Sequence, residues 1–174
     1  MGLVIKVALA VFCIVMVLYY FMQGKHPSEV VYADGAKLSF TLPQEWCAMD
    51  RDGGPNTVVI FKDNCFKAAF LKGDLTVMTI NAIRSFNIDR KAFLSIQNCL
   101  NHKEPGAKGY KEDNTFYCER PANDKGLRIT WAYKIIDNER MAISMLSARA
   151  NEDYDAQLPI FKKTVNSYKL VEAK

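Results

Sequence analysis

Residues 7–22 (VALAVFCIVMVLYYFM) form an unbroken apolar run close to the N-terminus. As a helix the run spans roughly 24 Å, or roughly 30 Å if residues 3–5 are included and Lys6 reaches the interface, which matches one bilayer core. Tyr19 and Tyr20 lie near its outer end, where aromatic rings favour the headgroup zone. The run therefore predicts a transmembrane helix, so the globular fold must come from the residues that follow.

Three kinds of membrane-targeting segment could account for this apolar run. A lipoprotein signal needs small residues before the modified cysteine, but Cys13 follows Val11 and Phe12 in mid-run. A cleaved signal peptide needs a small-x-small site soon after the apolar stretch, and residues 31–33 (VYA) lie about ten polar residues too far along. We favour an uncleaved signal anchor. The expected organisation is a tail at 1–6, the anchor at 7–22, a linker at 23–34 and one domain at 35–174.

Cysteine usage indicates the side of the membrane, because the flanking charges of Lys6 and Lys25 do not decide it. Apart from Cys13 there are four cysteines, an even number in one domain: Cys47, Cys65, Cys99 and Cys118. Two disulfides in an oxidising compartment fit this count, and among three connectivities we favour pairing of nearest neighbours. The alternative is four reduced, buried thiols. We expect a single-pass protein of the cytoplasmic (inner) membrane with its domain in the periplasm or another extracytoplasmic space.

The region at 35–174 is long enough for one hydrophobic core and too short for two. The net charge is +4, and the basic residues are scattered rather than arranged in a stripe with stacking aromatics. We therefore expect no nucleic-acid partner.

Hydrophobic periodicity in the first half of the domain predicts strands followed by a helix. Leu38, Phe40 and Leu42 alternate with polar residues up to Pro43. Asp89 is a good N-cap for a helix carrying Phe93, Ile96 and Leu100 at helical spacing, closed by Pro105 and Gly106. Further strands are expected at 57–62, 65–71 and 76–83.

The second half returns to extended structure and ends in a helix. Residues 109–119 are extended, and apolar residues alternate strictly from Leu127 to Ile135, with a hairpin turn at residues 137–138. An amphipathic helix follows, which Pro159 interrupts and which we expect to begin there. Its apolar residues are Tyr154, Leu158, Phe161, Val165 and Tyr168. The predicted class is α+β, an antiparallel β-sheet with helices packed against it.

Two segments resemble a known family. GAKLSFTLPQEW (residues 35–46) resembles the opening strand of the PsbP-like fold, in which F-x-x-P-x-x-W follows a glycine. IFKKTVNSYKLV (residues 160–171) resembles its terminal helix, which ends in a Ser-aromatic pair, here Ser167 and Tyr168. The resemblance, nearest to bacterial periplasmic DcrB-type proteins, implies a mostly non-enzymatic cell-envelope protein. The chain departs from DcrB-type proteins in lacking a lipid-attachment cysteine and in carrying four domain cysteines.

Catalytic and metal-binding patterns are weak. His26 lies in the linker and His102 follows a helix end, where a histidine makes a favourable contact with the helix dipole. Residues 50–53 (DRDG) begin like a calcium loop, but Phe61 stands where an EF-hand needs glutamate. We expect no enzyme activity, no cofactor and no metal site.

Aromatic side chains and an exposed loop are the candidate binding features of the sequence. Trp46 and Trp131 offer stacking faces, although their strand positions favour core packing. The polar, glycine-bearing segment after the first helix is the candidate recognition loop, with a plain connector as the alternative. Its candidate residues are Lys103, Glu104, Lys108, Tyr110 and Lys111.

These observations predict a membrane-anchored, non-catalytic domain that binds a protein partner in the cell envelope. Such a domain would be an accessory subunit of an envelope assembly or an immunity protein that inhibits an incoming toxin. The alternative is a periplasmic module that binds a small ligand or lipid in a cleft between sheet and helices.

Overall fold

The structure is a computed structural model that describes residues 29–43, 46–49, 56–62, 76–84, 90–149 and 152–171. The predicted anchor at 7–22, the predicted strand at 65–71 and the DRDG segment at 50–53 lie outside these residues. Within the described ranges, no helix is both long and apolar enough to cross a membrane.

The described residues form two antiparallel sheets and two helices, which confirms the predicted α+β class. A seven-stranded sheet has the order β3-β4-β5-β9-β8-β7-β6, and a three-stranded sheet has the order β1-β2-β10. The strands are β1 (Glu29–Val31), β2 (Lys37–Ser39), β3 (Trp46–Met49), β4 (Thr57–Lys62), β5 (Val77–Arg84), β6 (Lys108–Glu112), β7 (Thr115–Arg120), β8 (Leu127–Ile135), β9 (Arg140–Arg149) and β10 (Lys169–Val171). The helices are α1 (Arg90–Leu100) and α2 (Glu152–Asn166).

The two faces of the large sheet are built by alternation along β8. On one face, the hydroxyls of Thr130 and Tyr154 share a hydrogen bond, and Lys134 donates to carbonyls at the end of α2. The main core lies on this face, between the sheet and α2. On the opposite face, Tyr133 packs against Ile96 of α1 in a smaller apolar cluster. Each helix therefore covers a different face of the same sheet.

The folded domain begins earlier than the predicted boundary at residue 35. Residues 29–31, assigned to the linker at 23–34, form β1 and pair with β2. Val30 and Tyr32 are buried in the main core. Val30 and Val31 are adjacent, so the sequence shows no alternation of apolar and polar residues here. The segment forms a strand because it pairs with β2.

Two further differences concern turns and helix ends. Residues 109–119, expected as one extended stretch, form the β6–β7 hairpin, with Asp113 at φ 51° in its turn. Helix α2 begins at Glu152 and contains Pro159, where we expected its start. Pro159 is exposed, and the buried Tyr154 shows that the turn before the proline also packs on the sheet.

Candidate functional site

An apolar cavity of about 540 Å³ lies between α1 and the turn end of the β8–β9 hairpin. We call it the α1 cavity. Its apolar walls are Ile96, Leu100, Phe116, Tyr133, Ile135 and Met141. Polar side chains also line it, namely Gln97, Asp137, Asn138 and Arg140. A concave apolar site with few polar groups is the usual form of a small-molecule pocket.

Among the described residues, α1 leaves part of the apolar face of the β8–β9 hairpin uncovered. The alternation along β8 directs its odd-numbered apolar residues to the α1 side, and β9 adds Met141 opposite Ile135. Helix α1 has 11 residues. Ile135 remains 44% exposed at one edge of the cavity, and Leu94 on α1 is 45% exposed.

A disulfide holds α1 against the sheet. Cys99 on α1 and Cys118 on β7 are joined with an S–S distance of 2.04 Å, and both are buried. This is one of the two pairings that the sequence favoured. Cys47 is also buried and disulfide-bonded, whereas its expected partner, Cys65, lies outside the described residues.

Close backbone packing adds to this attachment. A Cβ atom on Gly109 of β6 would lie 2.4 Å from the carbonyl oxygen of Cys99, so the strand and helix backbones touch only because residue 109 is glycine. The C-terminal half of α1, which supplies Leu100 to the cavity, is thereby fixed in position.

An ion pair fixes the loop that follows α1. Arg120 Nε donates to Glu104 Oε1 at 2.7 Å, and Arg120 Nη2 donates to Ser95 Oγ at 2.7 Å. Glu104 also lies close to the sulfurs of Cys99 and Cys118. This trio is not a metal site, because the two sulfurs are bonded to each other and cannot act as thiolates.

The charged side chains that line the α1 cavity are bonded to one another. Arg140 Nη1 donates to Asp137 Oδ2 at 2.7 Å, and Arg140 Nη2 donates to Asp34 Oδ2 at 2.9 Å. The backbone amide of Glu139 holds the pKa of Asp137 below its usual value, with Arg140 adding to the effect. The Ala36 amide, together with two guanidinium groups, lowers the pKa of Asp34 to about 2.

Tyr133 is the buried polar group of the cavity wall. Its side chain is 6% exposed, and no hydrogen bond reaches its hydroxyl from the described residues. Burial raises its pKa, while the charges of Arg120 and Glu104 act in opposite directions. At neutral pH Tyr133 is therefore a protonated phenol and Asp137 is ionised, so these two lining groups offer hydrogen bonding rather than proton transfer.

The candidate recognition residues do not share one surface. Lys103 is exposed, whereas Glu104 is engaged by Arg120. Tyr110 stacks on Tyr117 on the α2 side, with ring centroids 5.3 Å apart. Lys108 lies over the Tyr110 ring at 5.4 Å, and the exposed Lys111 lies over Phe116 at 5.3 Å, on the α1 side. Strand alternation therefore divides the segment between the two faces of the sheet.

The two tryptophans lie in the apolar clusters, and His102 lies on the surface. Trp46 is buried in the main core, and Trp131 packs in the smaller cluster with its ring stacked on Tyr133 at 6.4 Å. His102 is exposed just after α1, with φ 54°. The site residues missed from sequence are Tyr133, Asp137 and Arg140. The alternation of apolar residues along β8 could have indicated which face of the sheet Tyr133 lies on. It could not have indicated which element covers that face.

The fold and site together define a sheet-dominated α+β domain with an apolar cavity under one helix. No family model matches the chain, and no curated protein matches it in sequence. The fold is similar to the crystal structure of LpqN, which is involved in cell envelope biogenesis of Mycobacterium tuberculosis, with a TM-score of 0.52 and 9% identity. The match covers 87% of this chain and 95% of the LpqN chain. A likeness at this identity establishes a shared fold.

Proposed function

We propose that this protein is a non-catalytic accessory domain of the cell envelope that binds a small, mainly apolar ligand in the α1 cavity. Residues 7–22 would tether it to the cytoplasmic membrane with the domain on the outer side. The Cys99–Cys118 disulfide supports this location, because disulfides persist in oxidising compartments. The fold shared with LpqN, an envelope-biogenesis protein, also supports it.

The PsbP-like assignment is part of the same proposal. Its support is that the two resembling segments meet in space: β2, within residues 35–46, pairs with β10, within residues 160–171. Phe40 and Tyr168 add an edge-to-face contact, with ring centroids 6.4 Å apart.

The observation that carries the binding proposal is the α1 cavity itself. Its volume of about 540 Å³ lies inside the range of ligand pockets. Its walls are aliphatic and aromatic, and the hydroxyl of the lining residue Tyr133 makes no hydrogen bond to another described residue.

Native mass spectrometry of the full chain, extracted from its own membranes, tests ligand binding. The wild type should carry a bound small molecule, and Ile135→Trp should lose it because the larger ring fills the cavity edge. Val171→Trp is the matched control, since Val171 is an exposed strand residue of the small sheet. An adduct that persists in Ile135→Trp, or its absence from the wild type, would contradict the proposal.

The location has a separate test in thiol titration of unfolded, unreduced protein. The expected result is a single free thiol, that of Cys13 in the anchor. A count of five free thiols would place the domain in a reducing compartment and reject the extracytoplasmic topology.

A protein partner is the second candidate, and the exposure of Leu94 and Ile135 favours it. Leu94 lies one helical turn from Gln97, which lines the cavity. Pull-down from detergent-solubilised membranes should recover a partner with wild type and with Val171→Lys, but not with Leu94→Lys. A resident envelope complex would indicate an accessory subunit, and a toxin would indicate an immunity protein. Equal recovery with all three forms would reject this surface.

A further inference from the structure

We infer that the α1 cavity selects an uncharged, mainly apolar molecule that carries one hydrogen-bonding group for the hydroxyl of Tyr133. The inference rests on the proposed function and specifies the ligand class of the same cavity. It follows from three properties of the cavity: its apolar walls, the pairing of its charges, and a lining tyrosine whose hydroxyl makes no hydrogen bond to another described residue.

The walls favour apolar surface. Ile96, Leu100 and Met141 are aliphatic or thioether side chains, and Phe116 adds an aromatic face. Burying apolar ligand surface against such walls is favourable because it removes that surface from water. Most of the ligand surface must therefore be apolar.

The charges that line the cavity are already neutralised. Arg140 uses all three guanidinium nitrogens, since Nε also donates to Asp34 at 3.1 Å. Asp137 Oδ1 accepts from the amides of Glu139 and Arg140, at 2.8 and 2.7 Å. An anionic ligand would have to displace a carboxylate from Arg140, and a cationic ligand would have to displace Arg140 from Asp137.

Charges farther from the cavity do not alter this balance. Asp34 is shared between Arg84 and Arg140, so the group as a whole pairs two carboxylates with two guanidinium groups. Lys111 lies over the outer side of Phe116, but it is exposed to solvent, where its charge is screened. A buried ionic group of a ligand would therefore lose its hydration without gaining a counter-ion.

Tyr133 supplies the polar contact. Its hydroxyl can donate or accept, so it suits a ligand hydroxyl, carbonyl or amide. The nearby Arg120 and Glu104 side chains are bonded to each other, so they do not compete with a ligand for the phenol. A hydrogen bond to the phenol would fix the orientation of a mainly apolar ligand in the cavity.

Three probes of one shape test this selection: 2-naphthol, 2-methylnaphthalene and 2-naphthoate. The readout is the thermal midpoint of the full chain in lipid nanodiscs, titrated with each probe, because a ligand that binds only the folded state raises it. The two neutral probes should raise the midpoint in wild type and not in Ile135→Trp, whereas 2-naphthoate should leave it unchanged. Tyr133→Phe should weaken 2-naphthol by about two- to tenfold and leave 2-methylnaphthalene unaffected.

The outcomes distinguish an error in the inferred ligand class from a failure of ligand binding itself. If 2-naphthoate binds wild type as tightly as 2-naphthol, and Ile135→Trp abolishes both, the cavity binds ligands but the selection for uncharged molecules is wrong. An equal loss of 2-naphthol and 2-methylnaphthalene in Tyr133→Phe would reject the hydrogen-bonding role. If no probe raises the midpoint, the proposed function itself fails.

Discussion

The hydroxyl of Ser167 accepts a hydrogen bond from the backbone amide of Thr41 at 2.8 Å and donates one to the carbonyl of Thr164 at 2.6 Å. It therefore connects the chain after β2 to the last turn of α2, across 126 residues of sequence. One side chain serves as both acceptor and donor. Its loss leaves the Thr41 amide without its acceptor, whereas the Thr164 carbonyl keeps a hydrogen bond from the Ser167 amide at 3.1 Å.

Ser167→Ala should lower the free energy of unfolding by about 0.5–1.5 kcal/mol, because the Thr41 amide loses its hydrogen-bond acceptor. Urea denaturation of the full chain in detergent, followed by far-UV circular dichroism, measures this change. Ser147→Ala is the matched control, because Ser147 on β9 makes no hydrogen bond through its side chain among the described residues. Equal effects of the two substitutions would show that the Ser167 contacts contribute nothing specific.

Lys134→Met should destabilise the fold by about 1–3 kcal/mol, because the ammonium group caps a helix from within the protein. Lys134 is 8% exposed, and its Nζ donates to the carbonyls of Val165 and Asn166 at 2.9 and 3.3 Å. Methionine keeps the volume but removes the donor. Lys163→Met on the exposed side of α2 is the control, with an expected change under about 0.5 kcal/mol. A stable Lys134→Met variant would mean that burial of the ammonium costs as much as its bonds contribute.

His102→Gly should stabilise the protein by about 0.5–1 kcal/mol. His102 has φ 54°, and the amides of His102 and Lys103 bond to the carbonyls of Cys99 and Asn98, which is a Schellman end of α1. A left-handed residue with a Cβ atom is strained, and glycine removes that strain. His102→Ala keeps the Cβ atom and should not stabilise. A destabilised His102→Gly would show that the imidazole contact with the helix end outweighs the strain.

Asp34→Asn should remove part of the acid sensitivity of the fold. The folded pKa of Asp34 is about 2, below the ordinary value of 3.8, so the ionised form stabilises the folded state. This contribution is complete above pH 3.8 and is lost as the pH falls through about 2. Between pH 5 and pH 2, the unfolding free energy of Asp34→Asn should therefore fall less steeply than that of wild type. Parallel curves for the two proteins would contradict the assignment.

The sequence predicted the elements whose pattern is local. Strict alternation from Leu127 to Ile135 and the turn at 137–138 predicted the β8–β9 hairpin, and helical spacing predicted α1. It did not predict β1, because Val30 and Val31 become a strand only through pairing with Leu38 and Lys37 of β2. The α1 cavity depends on which part of a sheet face a short helix covers, and that is a property of packing rather than of any one segment.

The contact between Gly109 and the backbone at Cys99 determines how closely the last turn of α1 approaches β6. Any larger residue at 109 would push the last turn of α1 away from β6 by about 1 Å, since nonbonded carbon atoms need roughly 3.5 Å. Lining residues such as Met141 can therefore change while the distance between the helix and β6 stays constant. Position 109 is therefore where a mutation would change the separation of the α1 and β6 backbones.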